Sequence, residues 1–163
     1  MLRVVEPGPE RERYLPLLLL ADASETQVRS YLQTGDLYVL ADALGAPLGL
    51  VLVLSQAEGT AELKAVAVAL DHQGQGVGQR LLGLVLAALQ ASGVRRVIVG
   101  TGNSSIGQIA FYQKAGFRLW RIERDVFTPE RGYPPDLEEH GIRLRDLVWL
   151  DQALGDDRAE RPM

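Results

Sequence analysis

The chain has no cysteine. Disulfides, a thiolate nucleophile and a thiolate metal site are therefore excluded, and the composition fits a reducing compartment. It has only two histidines, His72 and His140. They lie far apart, and no carboxylate sits at ligand spacing on a shared helix, so no metal site is expected. There is no long apolar run. The longest one near the N-terminus, residues 15–21, follows the charged run 10–13, is too short to span a bilayer and precedes no secretory cleavage pattern. The cytoplasm is the default expectation. Basic character is also lacking: the formal charge is -4, which argues against nucleic-acid and anionic-membrane partners. What the chain does have is 163 residues, 47% of them hydrophobic, enough for one domain around one core.

The pattern predicts a strand over residues 2–5, ended by Pro7 and Pro9. A helix over 10–21 follows, broken at Pro16, then a second helix over 25–32 with Ser24 as N-cap. Residues 37–41 and 48–54 read as an antiparallel hairpin, and 61–68 as a strand covered on both faces. Leu81, Leu82, Val85, Leu86 and Leu89 form one helical stripe ended by Gly93. A strand over 94–101 precedes a short helix, for which Ser105 and Gln108 make a capping-box pair and Gly116 a stop. Strands over 117–127 and 142–150 close the pattern around a polar loop. The order implies an α+β domain over residues 1–150, with about seven strands in a mixed, mostly antiparallel sheet and helices on both faces. Residues 151–163 are read as a short charged tail.

The segment QGQGVG, Gln73 to Gly78, lies between a buried strand and a helix. Gly74, Gly76 and Gly78 permit positive φ and a close ligand approach. Amides at the positive end of a helix then make a pyrophosphate site, to which Arg80 could add charge. The bland reading is an ordinary tight turn. No Gly-Lys-Ser/Thr follows, so the turn is not a Walker loop. The third glycine stands one position too early for a dinucleotide fingerprint.

Gln73, Gly76 and Gly78 match the pattern Gln/Arg-x-x-Gly-x-Gly/Ala, and the segment IAFYQKAGFR, Ile109 to Arg118, carries an aromatic-Tyr pair followed by Gly-Phe. In both motifs and in element order, over about residues 2–150, the chain resembles the GNAT acetyltransferases. The stretch TGNSS, Thr101 to Ser105, with the long loop after it, resembles a small bacterial subgroup of undefined substrate. The resemblance implies an N-acetyltransferase that moves an acetyl group from acetyl-CoA to a primary amine by direct attack on the thioester, with no metal. Cofactor contacts are expected from the backbone of Val66, Ala67 and Val68 and from Gln73, Gly74, Gln75, Gly76, Val77, Gly78 and Gln79. The family often has Asn seven residues before the Tyr. Here Ser105 holds that place and Asn103 stands two residues earlier, and both are carried as candidates.

Amine acetylation requires deprotonation of the amine, polarisation of the carbonyl and stabilisation of the thiolate. Glu62 stands eleven residues before Gln73, a spacing at which some members of the resembled family place a catalytic carboxylate, acting directly or through water. Its bland alternative is a strand-end residue in solvent or paired with Lys64. Tyr112 is placed by the resemblance beside the CoA sulfur as general acid. Its bland alternative is a core aromatic beside Phe111. Asp22 and Glu25 border the expected acceptor site as holders of a cationic amine or as helix caps. Residues 128–141 could cover that site, with Tyr133 as a stacking surface. Set against the enzyme is a non-catalytic acyl-CoA-binding sensor or partner domain, which would share the glycine turn but not need Tyr112 or Glu62. The acceptor is a small-molecule or peptide amine of unspecified identity. A homodimer is admitted by the sequence but not specified by it.

Overall fold

The computed structural model describes residues 1–155. The expected charged tail, 151–163, falls mainly outside them, and its first residues, 151–153, belong to the last strand of the sheet. Within them the chain forms an α+β fold around a seven-stranded mixed sheet ordered β1-β2-β3-β4-β5-β9-β6. The strands are β1 Leu2–Val5, β2 Asp36–Ala41, β3 Pro47–Ser55, β4 Thr60–Val68, β5 Arg96–Gly102, β6 Arg118–Glu123 and β9 Leu147–Ala153. Two-residue strands β7 Glu138–Glu139 and β8 Ile142–Arg143 make a separate hairpin. Every neighbour in the large sheet is antiparallel except β4 and β5. That parallel pair needs a crossover, and α3, Val77–Ala91, supplies it.

The helices divide the core between the two faces of the sheet. Leu81, Leu82, Val85 and Leu89 of α3 are buried on one face with Tyr112 of α4, Ile106–Lys114. Each such side chain contributes roughly 1.5–3 kcal/mol of transfer free energy. On the other face α1, Leu15–Ala21, and α2, Glu25–Tyr31, cover β1 to β4 through Leu18, Val28 and Tyr31. Ser24 caps α2 as expected, accepting from the Gln27 amide at 3.2 Å. The first helix differs from expectation. Residues Pro9–Tyr14 are a 3₁₀ turn, and Pro16 sits in the first turn of α1, where its missing N–H breaks no bond. Within that turn Arg11 is fully buried and donates to the carbonyls of Val5, Leu32, Thr34 and Gly35. It ties β1 to the end of α2.

The two C-terminal strands also differ in extent. β6 stops at Glu123 because Asp125 adopts a left-handed backbone, with φ of 57°, and gives its N–H to Asp146. β9 starts at Leu147 because Asn103 holds the preceding loop away from the sheet. Its Nδ2 donates to the Arg143 carbonyl, and its Oδ1 accepts from the amides of Arg145 and Asp146. The capping box does not form. Ser105 makes no side-chain cap to α4, and its hydroxyl donates instead to Glu139 at 3.2 Å. Among the described residues no helix is long and apolar enough to cross a membrane.

Candidate active site

β4 and β5 pair only from Thr60 to Leu63 against Arg96 to Val99. Beyond Leu63 they splay, while β4 stays paired to β3 as far as Val68. The β5-facing backbone of the second half of β4 therefore borders a cleft of about 820 Å³, lined in part by Val66, Ala67 and Val68. Unpaired strand amides and carbonyls beside a cleft of this size are an edge to which an extended amide-bearing ligand can bond.

The glycine turn stands at one end of the cleft. Gly74 and Gly76 adopt φ of 76° and 79°, and a Cβ on either would meet nothing within 4 Å. Gly76 caps α3, so the first helical amides, at Val77, Gly78 and Gln79, lack intrahelical partners and present donors to an anion. Gly78 departs from expectation. It has no positive φ, and a Cβ there would come within 3.0 Å of the Phe111 ring. Its smallness serves the contact between α3 and α4. The three glutamines act as braces: Gln73 donates to the Val68 carbonyl, Gln75 to the Asp71 carbonyl and Gln79 to the Phe111 carbonyl. Gln73 and Gln79 line the cleft and Gln75 does not. His72, just before the turn, is half-buried and lines it too.

Tyr112 reaches the cleft from α4. It is 4% exposed, and its ring meets Phe111 and Phe117 edge-on. Its hydroxyl has no hydrogen-bond partner among the described residues, yet it is not among the buried polar atoms sealed from solvent. The oxygen therefore opens onto the cleft that the residue lines. Burial pushes the phenol well above the usual tyrosine value, so it is a proton donor across the whole neutral range.

The position of Glu62 depends on a β-bulge. The register of β4 against β3 shifts so that Leu52 faces Ala65 and Val53 faces Leu63, which leaves Lys64 as the extra residue. The bulge puts Ala61 and Leu63 in the core beneath α3 and α4, but Ala65 and Ala67 in the core beneath α1 and α2. Glu62, between the first two, points to the α1–α2 side. There it is 8% exposed, lines the cleft, and accepts a hydrogen bond from Gln56 Nε2. It has neither of its bland environments, open solvent or a pairing with Lys64. The Lys64 ammonium instead lies 5.3 Å from the centre of the Tyr31 ring.

The far wall comes from the α1–α2 junction and the loop after β6. Asp22 accepts from Tyr133 Oη at 2.9 Å, Tyr31 Oη at 3.2 Å and the Ser24 amide at 3.1 Å. The Arg131 carbonyl accepts from Ser24 Oγ and Gln27 Nε2. These bonds strap the loop across the helices. Tyr133 is thus an anchored, buried ring packed edge-on against Phe127 at 4.9 Å rather than an open stacking surface. Burial and the Asp22 carboxylate both raise its phenol. Asp22 lines the cleft, while Glu25 does not and pairs with Arg29 on the surface.

The structure thus brings Glu62, Tyr112, the β4 edge, the glycine turn and Ser105 to one cleft. Asn103 lies outside it, its amide bonded to the loop before β9. Residues that the sequence reading missed also line it: Glu123, Glu138, Glu139 and Trp149, whose indole donates to Glu123 at 3.1 Å. Glu123 and Trp149 are brought together by the β6–β9 register, and Glu138 and Glu139 by the β7–β8 hairpin, for which no local sequence signal exists.

Comparison with known proteins shows the family. The model of the acetyltransferase (GNAT) family matches residues 7–117. An uncharacterised N-acetyltransferase of Bacillus subtilis, YvbK, is 37% identical over 149 residues, spanning 90% of this chain and 93% of that protein. The crystal structure of a B. subtilis acetyltransferase in complex with CoA superposes with a TM-score of 0.82 at 34% identity, over 93% of this chain and 97% of the other. That of an Elizabethkingia anophelis GNAT acetyltransferase with acetyl-CoA bound gives 0.81 at 33% identity, over 94% and 97%.

Proposed function

Because the chain belongs to the GNAT acetyltransferase family, we propose that it transfers the acetyl group of acetyl-CoA to a primary amine by direct attack on the thioester. The observation that carries this reading is the splay of β4 from β5 directly beside an open-faced glycine turn. The amides of residues 76–79 and the end of the α3 dipole would hold the pyrophosphate, and the free edge at Val66 to Val68 would pair with the pantetheine amides. Relatives solved with CoA or acetyl-CoA support this placement.

The acceptor enters from the α1–α2 side, where Glu62 takes a proton from its ammonium directly or through a water. The amine nitrogen bonds to the thioester carbon, a β4 amide stabilises the oxyanion, and the carbon–sulfur bond breaks. The Tyr112 hydroxyl, kept protonated by its burial, donates to the departing thiolate, and the second proton shed by the acylated nitrogen restores it. Asp22, Glu62, Glu123, Glu138 and Glu139 outnumber Lys64 and Arg131 on the cleft walls, which favours a cationic acceptor over an anionic one. A sensor that merely binds acyl-CoA would have no use for a buried, unpartnered phenol and a buried carboxylate facing one cleft.

Titration with CoA tests the donor half. We expect Gly76→Asp to lower CoA affinity by roughly tenfold or more, because its charge opposes the phosphates. Gly76→Ala carries the same left-handed backbone strain without the charge and controls for folding. Equal affinity of the Asp variant and wild type by calorimetry rules out the anion site.

A further inference from the structure

β6 is the outer strand of the sheet, and its row of backbone groups on the side away from β9 has no partner among the described residues. Such an edge is normally kept short or charged. Here three of six residues are large and exposed: Leu119 at 60%, Trp120 at 43% and Ile122 at 64%. From this edge we infer that β6 pairs with β6 of a second copy of the chain about a two-fold axis between Trp120 and Arg121.

The register follows from a bulge. Against β9, Leu119 faces Leu150 and Arg121 faces Trp149, so Trp120 is an extra residue. Leu119 and Ile122 lie opposite Leu150 and Val148, which belong to the core beneath α3 and α4, and so share that face. Trp120 and Arg121 share the other. The Arg121 guanidinium lies 4.9 Å from the Trp120 ring centre and 5.6 Å from that of Trp149, and Arg96, paired with Asp151, covers Trp120 at 4.3 Å. Arg118 and Glu123, opposite Asp151 and Leu147, fall on that second face as well. Read from residue 118 to 123, the faces run second, first, second, second, first, second, which is the same in both directions.

An unbulged strand puts residues 120 and 121 on opposite faces and cannot pair with itself in this register. With the bulge, antiparallel pairing sets Arg118 against the partner subunit's Glu123, Leu119 against the partner's Ile122 and Trp120 against the partner's Arg121. Opposite charges, apolar pairs and a cation on an aromatic face all meet on matching faces. The contact is isologous, so each of the three pairs occurs twice about the axis. Glu123 also lines the cleft. The dimer therefore brings the partner's Arg118 to the rim of each acceptor site.

Sedimentation equilibrium of the full chain tests this. We expect a dimer in the wild type, and monomers from Ile122→Lys. Arg118→Glu should weaken dimerisation by roughly tenfold or more, since it sets like charges opposite each other. Combining Arg118→Glu with Glu123→Arg should restore association. The melting temperature of each variant shows that it is folded, and Arg118→Glu, on an exposed side chain, serves if Ile122→Lys does not fold. A wild-type monomer contradicts the inference, as does a dimer that survives both single changes or a different protein bound to this edge in place of a second copy.

Discussion

Replacing Glu62 by Gln is expected to lower turnover by roughly a hundredfold or more, within the ~10²–10⁴ range of general acid–base catalysis. The shape of the side chain is kept, and an amide oxygen can still accept from Gln56, so the contact at β4 survives. What goes is the acceptor for the ammonium proton. The deficit should therefore shrink as pH rises, because more acceptor arrives already deprotonated, and it should nearly vanish above the acceptor's own pKa. CoA affinity should stay within about twofold, since the carboxylate faces the α1–α2 side rather than the glycine turn. If Glu62 is only a buried structural acceptor, Gln lowers the melting temperature and leaves the rate per folded molecule unchanged at every pH.

Replacing Tyr112 by Phe should cost roughly ten- to a thousandfold in turnover, the low end allowing for a water that takes the place of the hydroxyl. Packing should persist, because the edge contacts with Phe111 and Phe117 involve the ring alone. The hydroxyl has no partner among the described residues, so its removal breaks no internal bond and stability should hold or rise slightly. The loss should be even across neutral pH, because the raised phenol stays protonated throughout. It should fall on turnover more than on CoA affinity, since the bond strengthens only as charge builds on sulfur. Full activity in the Phe variant would make Tyr112 a core residue and would favour the acyl-CoA-binding sensor over the enzyme.

The parts of the fold that rest on local chemistry were legible in the sequence. The α3 stripe, the Ser24 cap and the strands β1 to β4 follow from periodicity and turn residues within a few positions. The glycine turn is legible in the same local way, whereas the role expected of Tyr112 comes from the resemblance of its segment to a family motif. What the sequence did not disclose is set by long-range pairing. The Lys64 bulge, which turns Glu62 to the α1–α2 side, is a register event between β3 and β4. Asn103 looked like a ligand contact, but it is spent on backbone groups some forty residues away. Ser105 and Gln108 have capping-box spacing, yet Ser105 turns to Glu139 of the hairpin formed by β7 and β8. Gly78 was grouped with Gly74 and Gly76, but its constraint is the Phe111 ring rather than its own backbone. In each case a tertiary partner overrode a sound local preference.

The central claim is that one cleft holds an acetyl donor at the glycine turn and activates an amine at Glu62. Incubating the wild-type chain with acetyl-CoA and a panel of cationic amines, while following free thiol and product mass together, tests it most directly. The account predicts that at least one amine gains a single acetyl group on nitrogen, with one thiol released per product. Tight CoA binding with no acetylated product from any amine, or thiol release that does not depend on the amine, would contradict it.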